Sequence, residues 1–486
     1  MKRILIMMWG LCTSALLQAQ TPLETYIERC AEKAPLKGAL LGVSVKDMSG
    51  KSVAAYNAST RMVPASNLKL VTTGTALHAF GPAHRFSTAI GYTGTITDGT
   101  LEGDVYILGG GDPSLGAKDT LALKADALFW KWKTLLRDAG IQRIHGRIVG
   151  DGNAYEGMLE QASWNYDDVG TYYGAGMSAL SFYENAVDYR VGPAQAGEPV
   201  QLTQLYPETP WMHLGNLSVT SPAGTPNTLY MYTTDLAPYE ELRGAYPLER
   251  RPKTEHFANK FGDLTCAYYF WKNLRDTDWE VTGGYARTDR YGFLQGPDFV
   301  PADKAGVPVR IGATESAPLA DLSKRTNWDS DNFYAEALFR AMGESATGNA
   351  GPDSCLVAVR DVLQDLGLPL DGISQADGCG LSRKNLVSAD WMTRYLLSMT
   401  RSPAFGAFLG SLPQPGQGTL SMIHLQNGER IRCKSGSMEG VLCYSGYILD
   451  SAGKPLYAFS ILTNGITVPL SELRPVLSGI LALMVQ

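Results

Sequence analysis

The chain changes its hydrophobic rhythm several times. It opens with Lys2 and Arg3, then an unbroken apolar run from Ile4 to Leu17, then Gln18-Ala19. This is the order of a secretory signal peptide, so residues 1–19 are expected to be removed. The run is too short to span a bilayer, which takes about 20 residues. Helical spacing follows over Pro22–Ala34. Alternating runs at Ala39–Lys46 and Ser52–Tyr56 then flank the turn Asp47-Met-Ser-Gly50 and predict a hairpin. A helix is expected over Asn67–Phe80, stopped by Gly81-Pro82.

From His84 the texture is short β-like runs punctuated by Gly and Asp, as at Phe86–Tyr92, Val105–Gly109 and Arg143–Gly150. Two Trp-bearing helical patches, Phe129–Trp132 and Tyr268–Trp271, interrupt it before it ends near residue 305. Helical spacing returns at Phe333–Met342, Cys355–Leu366 and Trp391–Met399. Three strands, Arg430–Ser435, Gly440–Leu449 and Leu456–Thr463, precede a closing helix over Val468–Val485. That helix is apolar nearly all round and has no Lys cluster, so packing against a sheet is expected rather than anchoring at a membrane surface.

Composition narrows the class. Hydrophobic residues at 44% and aromatics at 10% exclude a largely disordered chain. The net charge of −6 becomes −8 once Lys2 and Arg3 leave with the signal, which argues against nucleic acid as a partner. Cys12 lies in the signal; the other six cysteines form no C-x-x-C pair, leaving disulfides and free buried thiols both open. The six His are dispersed, and no metal site or cofactor is expected.

Three short patterns carry candidate chemistry, in order: Ser66-Asn-Leu-Lys69 at a helix start, Ser330-Asp-Asn332 before a helix, and Lys434-Ser435-Gly436 on a strand. Each alone is weak. A second S-x-x-K, Ser451-Ala-Gly-Lys454, reads as a hairpin turn, and a second S-x-N occurs at Ser163-Trp-Asn165. The ordered triple, each member in a fitting context, is far more specific. Residues i and i+3 share a helix face, so Lys69 can reach Ser66. A serine hydroxyl needs a base to attack an amide, and a lysine serves when burial and a neighbouring cation such as Lys434 keep it neutral. Ser330 can relay a proton, Asn332 can hold a substrate amide, and the Lys434 strand can pair with an extended peptide while attracting its carboxylate.

These patterns resemble the penicillin-recognising serine enzymes, the β-lactamases and penicillin-binding proteins. The stretches Leu108–Pro113, Ala179–Asn185, Ser330–Leu338, Asp377–Arg383 and Lys434–Ser437 resemble one branch, the D-alanyl-D-alanine carboxypeptidase/endopeptidase family of low-molecular-mass penicillin-binding proteins. The resemblance implies Ser66 as the acylated nucleophile, Lys69 as its base, Ser330 and Lys434 as a proton relay, and Asn332 as a substrate contact. It also implies an oxyanion hole from the backbone N–H groups of Ser66 and Ser437, with Ser435, Gly436, Cys379 and Leu381 beside the substrate. Asp168, Tyr173, Arg383 and Met438 would form a pocket for the diaminopimelate end of a stem peptide, a carboxylate for its ammonium and an Arg fork for its carboxylate. Cys379 stands where the family usually has Ser, so any hydrogen bond made there is weakened and a thiol near the site is open to oxidation. Leu108–Pro113, Gly-rich but without a following Lys-Ser/Thr, is expected to be a tight turn.

The expected fold is α/β (α+β), the penicillin-binding/β-lactamase-like transpeptidase fold. An antiparallel sheet flanked by helices is built from residues 20–83 and 306–486, with a β-rich insertion of two subdomains over residues 84–305. The stretch between Lys69 and Ser330, over twice that between Asn332 and Lys434, is what an insertion requires. The expected function is that of an exported, periplasmic or envelope serine DD-peptidase acting on peptidoglycan stem peptides and acylated by β-lactams. A β-lactamase is the rival within the class, disfavoured by the lack of an E-x-x-L-N-like run and by the insertion. A non-catalytic cell-wall binding protein is the rival outside it, and would need neither nucleophile nor base.

Overall fold

The computed structural model describes residues 21–155, 157–277, 279–289, 297–301 and 306–486. The expected signal peptide lies outside them. The central sheet joins the two ends of the chain. Strands β1 (Leu40–Asp47) and β2 (Ser52–Tyr56) form the expected hairpin. Late in the chain come β3 (Ile431–Met438), β4 (Val441–Leu449) and β5 (Pro455–Asn464). The order is β2-β1-β5-β4-β3, antiparallel throughout. Ser451–Lys454 lies in the β4–β5 turn, with Gly453 N–H donating to Asp450 O.

The sheet is covered on both faces, and side-chain alternation sorts its residues between two cores. On one face Leu41, Val43, Leu442, Tyr444, Phe459 and Ile461 pack with α1 (Pro22–Glu32) and the closing helix. On the other, Cys443, Tyr447, Ala458 and Leu462 meet α2 (Lys69–Phe80) and the later helices. These are α3 (Leu319–Trp328), α4 (Asn332–Thr347), α5 (Pro352–Asp365), α6 (Ala389–Met399) and the closing α7 (Leu470–Met484). Leu473, Leu477, Ile480 and Leu481 of α7 are buried against the sheet, and no helix among the described residues is long and apolar enough to cross a membrane.

Between α2 and α3 lies a six-stranded sheet, with helices Ala125–Asp138 and Gly262–Asp276 growing out of the two aromatic patches. Phe129, Trp132 and Phe270 are buried together in its core. Its edge strand Val309–Glu315 pairs with Ser87–Tyr92, so this sheet draws on residues beyond 305. That strand is half exposed, which hides it from a hydrophobic pattern. Two three-stranded sheets occupy much of residues 186–258. The Gly run is less a free turn than a place of close approach: a Cβ on Gly109 would lie 2.3 Å from the backbone of Ala179 and Leu180, and one on Gly111, at φ +85°, would meet Tyr155. The six cysteines outside the signal are free, five of them buried.

Candidate active site

Ser66 sits in a 3-10 turn, Ala65–Leu68, that runs directly into α2. The helix expected to begin here is tightened at its first turn, and Ala65 is held at φ 47°, a left-handed conformation that costs a non-Gly residue free energy. Two glycines bring neighbouring backbone against this turn. A Cβ on Gly436 would approach Pro64 O at 2.5 Å and Asn67 N at 2.7 Å, and one on Gly380 would lie 2.1 Å from Ala65 O. Strand β3 and the loop at 380 can therefore touch the turn only as Gly.

Lys69 is wholly buried, and its Nζ donates to Ser66 Oγ at 2.9 Å, Asn332 Oδ1 at 2.6 Å and Cys379 O at 2.7 Å. Burial pushes its pKa down, opposed by the more distant carboxylates of Asp377, Asp331 and Glu336. Lys434, equally buried, donates to Ser330 Oγ at 2.8 Å and Ser435 O at 2.6 Å. Its pKa lies well below the ordinary value, from burial first and from the charge of Lys69 second. Ser435 Oγ donates to Thr419 Oγ1 at 2.6 Å, and Asn332 Nδ2 to Tyr173 O at 3.0 Å. Ser330 is held at φ 59° immediately before Asp331, which caps α4 by accepting from Tyr334 N at 3.1 Å.

A cleft of about 510 Å³ opens above these groups. Ser66, Ser330, Asn332, Leu381, Ser437, Asp168, Tyr173, Arg383 and Met438, all expected from sequence, line it. Lys69, Lys434, Ser435 and Gly436 are not among the lining residues; both lysines reach the cleft through the serines they bond. Asp168 is hydrogen-bonded to Tyr173, and burial followed by the charge of Asp167 raises its pKa. Arg383 Nη2 donates to Glu439 O at 3.1 Å. Strand β3 is the end strand of its sheet, so one edge is unpaired within the sheet.

Cys379 departs from expectation. Its thiol is fully buried beside Trp164 and Ala335 rather than facing the cleft, and burial raises its pKa well above that of an ordinary thiol. Its contribution is the carbonyl that receives Lys69, and a buried, protonated thiol is a poor target for oxidation.

Several residues at the site carry no motif. Glu336 and Arg340 follow Asn332 at i+4 and i+8 on one face of α4. Glu336 Oε1 accepts from Gly378 N and Cys379 N, both at 2.8 Å, and burial together with Asp377 pushes its pKa up to about 7. Asp377 accepts from Gly380 N, Ser382 N, Asn385 Nδ2 and Trp164 Nε1. Glu336, Asp377 and Cys379 come close enough to suggest a metal site. Every carboxylate oxygen in the group already receives a hydrogen bond from the protein, Glu336 Oε2 from Gln161 Nε2 at 3.4 Å, so the group reads as a loop clamp. The second S-x-N also belongs here: Ser163 Oγ bonds Ser382 Oγ at 2.7 Å and Asn165 lines the cleft. Behind α4, Arg325 lies 3.3 Å from Asp331, 3.5 Å from Asp119 and 3.9 Å from Glu184. Tyr183, Glu184 and Asn185 are three successive non-Gly residues at positive φ, so the Ala179–Asn185 stretch is a strained corner.

Residues 23–476 match the D-Ala-D-Ala carboxypeptidase 3 (S13) family. The chain belongs to that family. The match spans nearly the whole chain, and the carboxypeptidase reading and the α/β fold class both stand. The S13 chain is 29% identical over 464 residues to a D-alanyl-D-alanine carboxypeptidase of Actinomadura sp. strain R39, covering 92% of this chain and 82% of the relative. It is 25% identical to D-alanyl-D-alanine carboxypeptidase DacB of Haemophilus influenzae, over 88% and 86% of the two chains. The crystal structure of penicillin binding protein 4 (dacB) from H. influenzae superposes with a TM-score of 0.80 at 24% identity, covering 94% of this chain and 98% of that one. The same protein complexed with a β-lactam superposes at 0.74.

Proposed function

We propose that this S13 chain is an exported serine DD-peptidase that hydrolyses the terminal D-Ala-D-Ala bond of peptidoglycan stem peptides through an acyl-Ser66 intermediate. The observation that carries this is the 2.9 Å bond between Ser66 Oγ and a buried Lys69 whose ionised form is disfavoured. With Lys69 neutral, Ser66 Oγ attacks the carbonyl carbon of the penultimate D-Ala and its proton passes to Lys69 Nζ. The N–H groups of Ser66 and Ser437 stabilise the oxyanion. Ser330 gives its proton to the departing D-Ala nitrogen, and the Ser66 proton held by Lys69 replaces it by way of Lys434, which Ser330 already bonds. A water then attacks the ester, its proton passing to Lys69 Nζ, which returns one to Ser66 Oγ as the acid leaves. Asn332 keeps one N–H for the substrate amide, the other being bonded to Tyr173 O.

Asp168, Tyr173, Arg383 and Met438 form the diaminopimelate pocket in this reading, which supports cleavage of D-Ala–diaminopimelate cross-links at the same serine. β-Lactams, whose strained amide resembles the scissile bond, acylate Ser66. The test incubates the mature protein with labelled penicillin and with a D-Ala-D-Ala pentapeptide. Stable labelling and D-Ala release, both lost in Ser66→Ala, are expected; rapid penicillin turnover without D-Ala release, or neither signal, overturns the reading.

A further inference from the structure

Far from Ser66 in sequence, two small sheets of the inserted region face each other across a cavity. The first has the order Gln201–Tyr206, Ala186–Gly192, Lys253–Ala258; the second, His213–Asn216, Tyr239–Arg243, Tyr230–Thr233. Tyr189 lies on the central strand of the first and Glu240 on that of the second, and the Tyr189 hydroxyl donates to Glu240 Oε1 at 2.5 Å. Glu240 is only 2% exposed. Its other oxygen receives no hydrogen bond from the described residues and is not sealed from solvent, lying at the cavity that Glu240 lines. Water can satisfy that oxygen, and a cationic donor can do so with a stronger, charge-assisted bond.

The cavity beside this pair is about 430 Å³ and opens between the edge strands Gln201–Tyr206 and His213–Asn216. Val200, Leu202, Met212 and Leu214 give it apolar walls, and no Lys, Arg or His lines it. Of its two amides, Gln204 has both N–H groups bonded and Asn216 one of its two. Asn216 Nδ2 is bonded to Val200 O at 3.0 Å, and Gln204 Nε2 to Pro207 O at 2.7 Å and Thr209 Oγ1 at 2.8 Å. What remains is acceptor oxygen from Glu240 and Gln204 and one N–H of Asn216, within an apolar frame.

We infer that this cavity is a second, non-catalytic binding site, for a primary ammonium carried on a short apolar stem. The stem covers Leu202, Met212 and Leu214, and the ammonium supplies the charge-assisted hydrogen bond that the carboxylate lacks. An anion is repelled, and a neutral hydroxyl of equal length gains the apolar contact alone. Burial pushes the Glu240 pKa up to about 7, so a cation entering the cavity draws the group into its ionised form. Free alkylamines and lysine-type side chains of peptides share this chemistry.

The test uses the full chain carrying [methyl-13C]methionine, with n-pentylamine, 1-pentanol, pentanoate and Nα-acetyl-lysine methylamide titrated while the Met212 methyl resonance is followed. Pentylamine is expected to shift Met212 and to bind about tenfold more tightly than pentanol, the effect of one charge-assisted hydrogen bond; pentanoate leaves the resonance unmoved. Glu240→Gln removes the preference for the amine, and Leu202→Trp, which fills the cavity from its wall, removes binding of both, while D-Ala release continues in each. Tighter binding of the lysine derivative than of pentylamine assigns the site to peptide side chains, and the reverse to free amines. Equal affinity for amine and alcohol, retention of the amine preference in Glu240→Gln, or no Met212 shift at tens of millimolar amine overturns the inference.

Discussion

Lys69 in the candidate active site and Lys260, in the β-rich stretch between α2 and α3, are both almost wholly hidden from water, and they are treated in opposite ways. Around Lys69 Nζ all three acceptors are neutral oxygens, and no carboxylate among the described residues comes within ion-pair distance. Lys260 Nζ instead meets Glu160 Oε1 at 2.6 Å, with Gly174 O at 3.1 Å and Ala175 O at 2.9 Å. Burial pushes both pKa values down, but for Lys260 the adjacent Glu160 opposes it directly, while for Lys69 Cys379 and then carboxylates beyond contact do. One lysine is arranged to shed its proton, the other to keep it and hold a loop. The loop it holds carries Tyr173, whose carbonyl receives Asn332, which in turn receives Lys69. Lys260 thus braces the loop that reaches Lys69 through Asn332.

The comparison breaks most sharply at Lys69. Lys69→Met keeps the volume and removes the base, so penicillin acylation and D-Ala release should fall by roughly 10²–10⁴, while the melting temperature holds or rises because a desolvated buried amine has gone. For the intact enzyme, kcat/KM should rise with pH through a pKa below the ordinary lysine value of 10.5. A variant that acylates at the original rate refutes the base assignment.

At Lys260 the effect moves from rate to stability. Lys260→Met leaves Glu160 buried without its partner, with Asp235 also near, and should cost about 3–5 kcal/mol in urea unfolding. Replacing both partners in Lys260→Met/Glu160→Leu should recover most of that. If the single change is neutral, Lys260 is no brace and the comparison fails.

How far sequence alone reached follows the same division. Ser66, Lys69, Ser330, Asn332 and Lys434 were legible because helix and strand periodicity fixes which short spacings can meet, and the cleft is where those spacings converge. The β1–β2 hairpin and the β3–β4–β5 run were legible because strands buried on both faces read as short apolar runs bounded by turn residues. Contacts made by backbone were not: the Tyr173 and Cys379 carbonyls leave no trace in residue type. Glu336 could have been found from its i+4 relation to Asn332. Ser163-Trp-Asn165 shows the converse, a motif that looks accidental and whose residues touch the site through tertiary packing.

A smaller effect is expected in the distal part of the cleft. Asp168→Ala should weaken stem peptides that carry diaminopimelate by about tenfold, the scale of one charge-assisted contact, and leave minimal peptides lacking it nearly unchanged. KM for the two peptides, measured side by side, decides the point. Equal effects on both would remove Asp168 from the pocket and return it to a structural role beside Tyr173.

The smallest effect belongs to Glu184, on the strained corner behind α4. It faces Asp331 and Asp119, with Arg325 and Lys118 opposing them, and burial followed by the charge of Asp331 pushes its pKa up from 4.5 to about 8. Between those values the folded chain holds a proton that the unfolded chain has released, so this group makes stability fall as pH rises from about 4.5 to 8. Lys69 acts with the opposite sign, because there the folded state is the one that releases the proton. Glu184→Gln keeps the shape and removes the titration. Its melting temperature should therefore match the parent near pH 4.5, pull ahead as pH rises, and exceed it by about 1–3 °C at pH 8.5. Parallel curves across that window would mean that Arg325 already neutralises the carboxylate, and that the corner keeps its strained backbone without a buried proton.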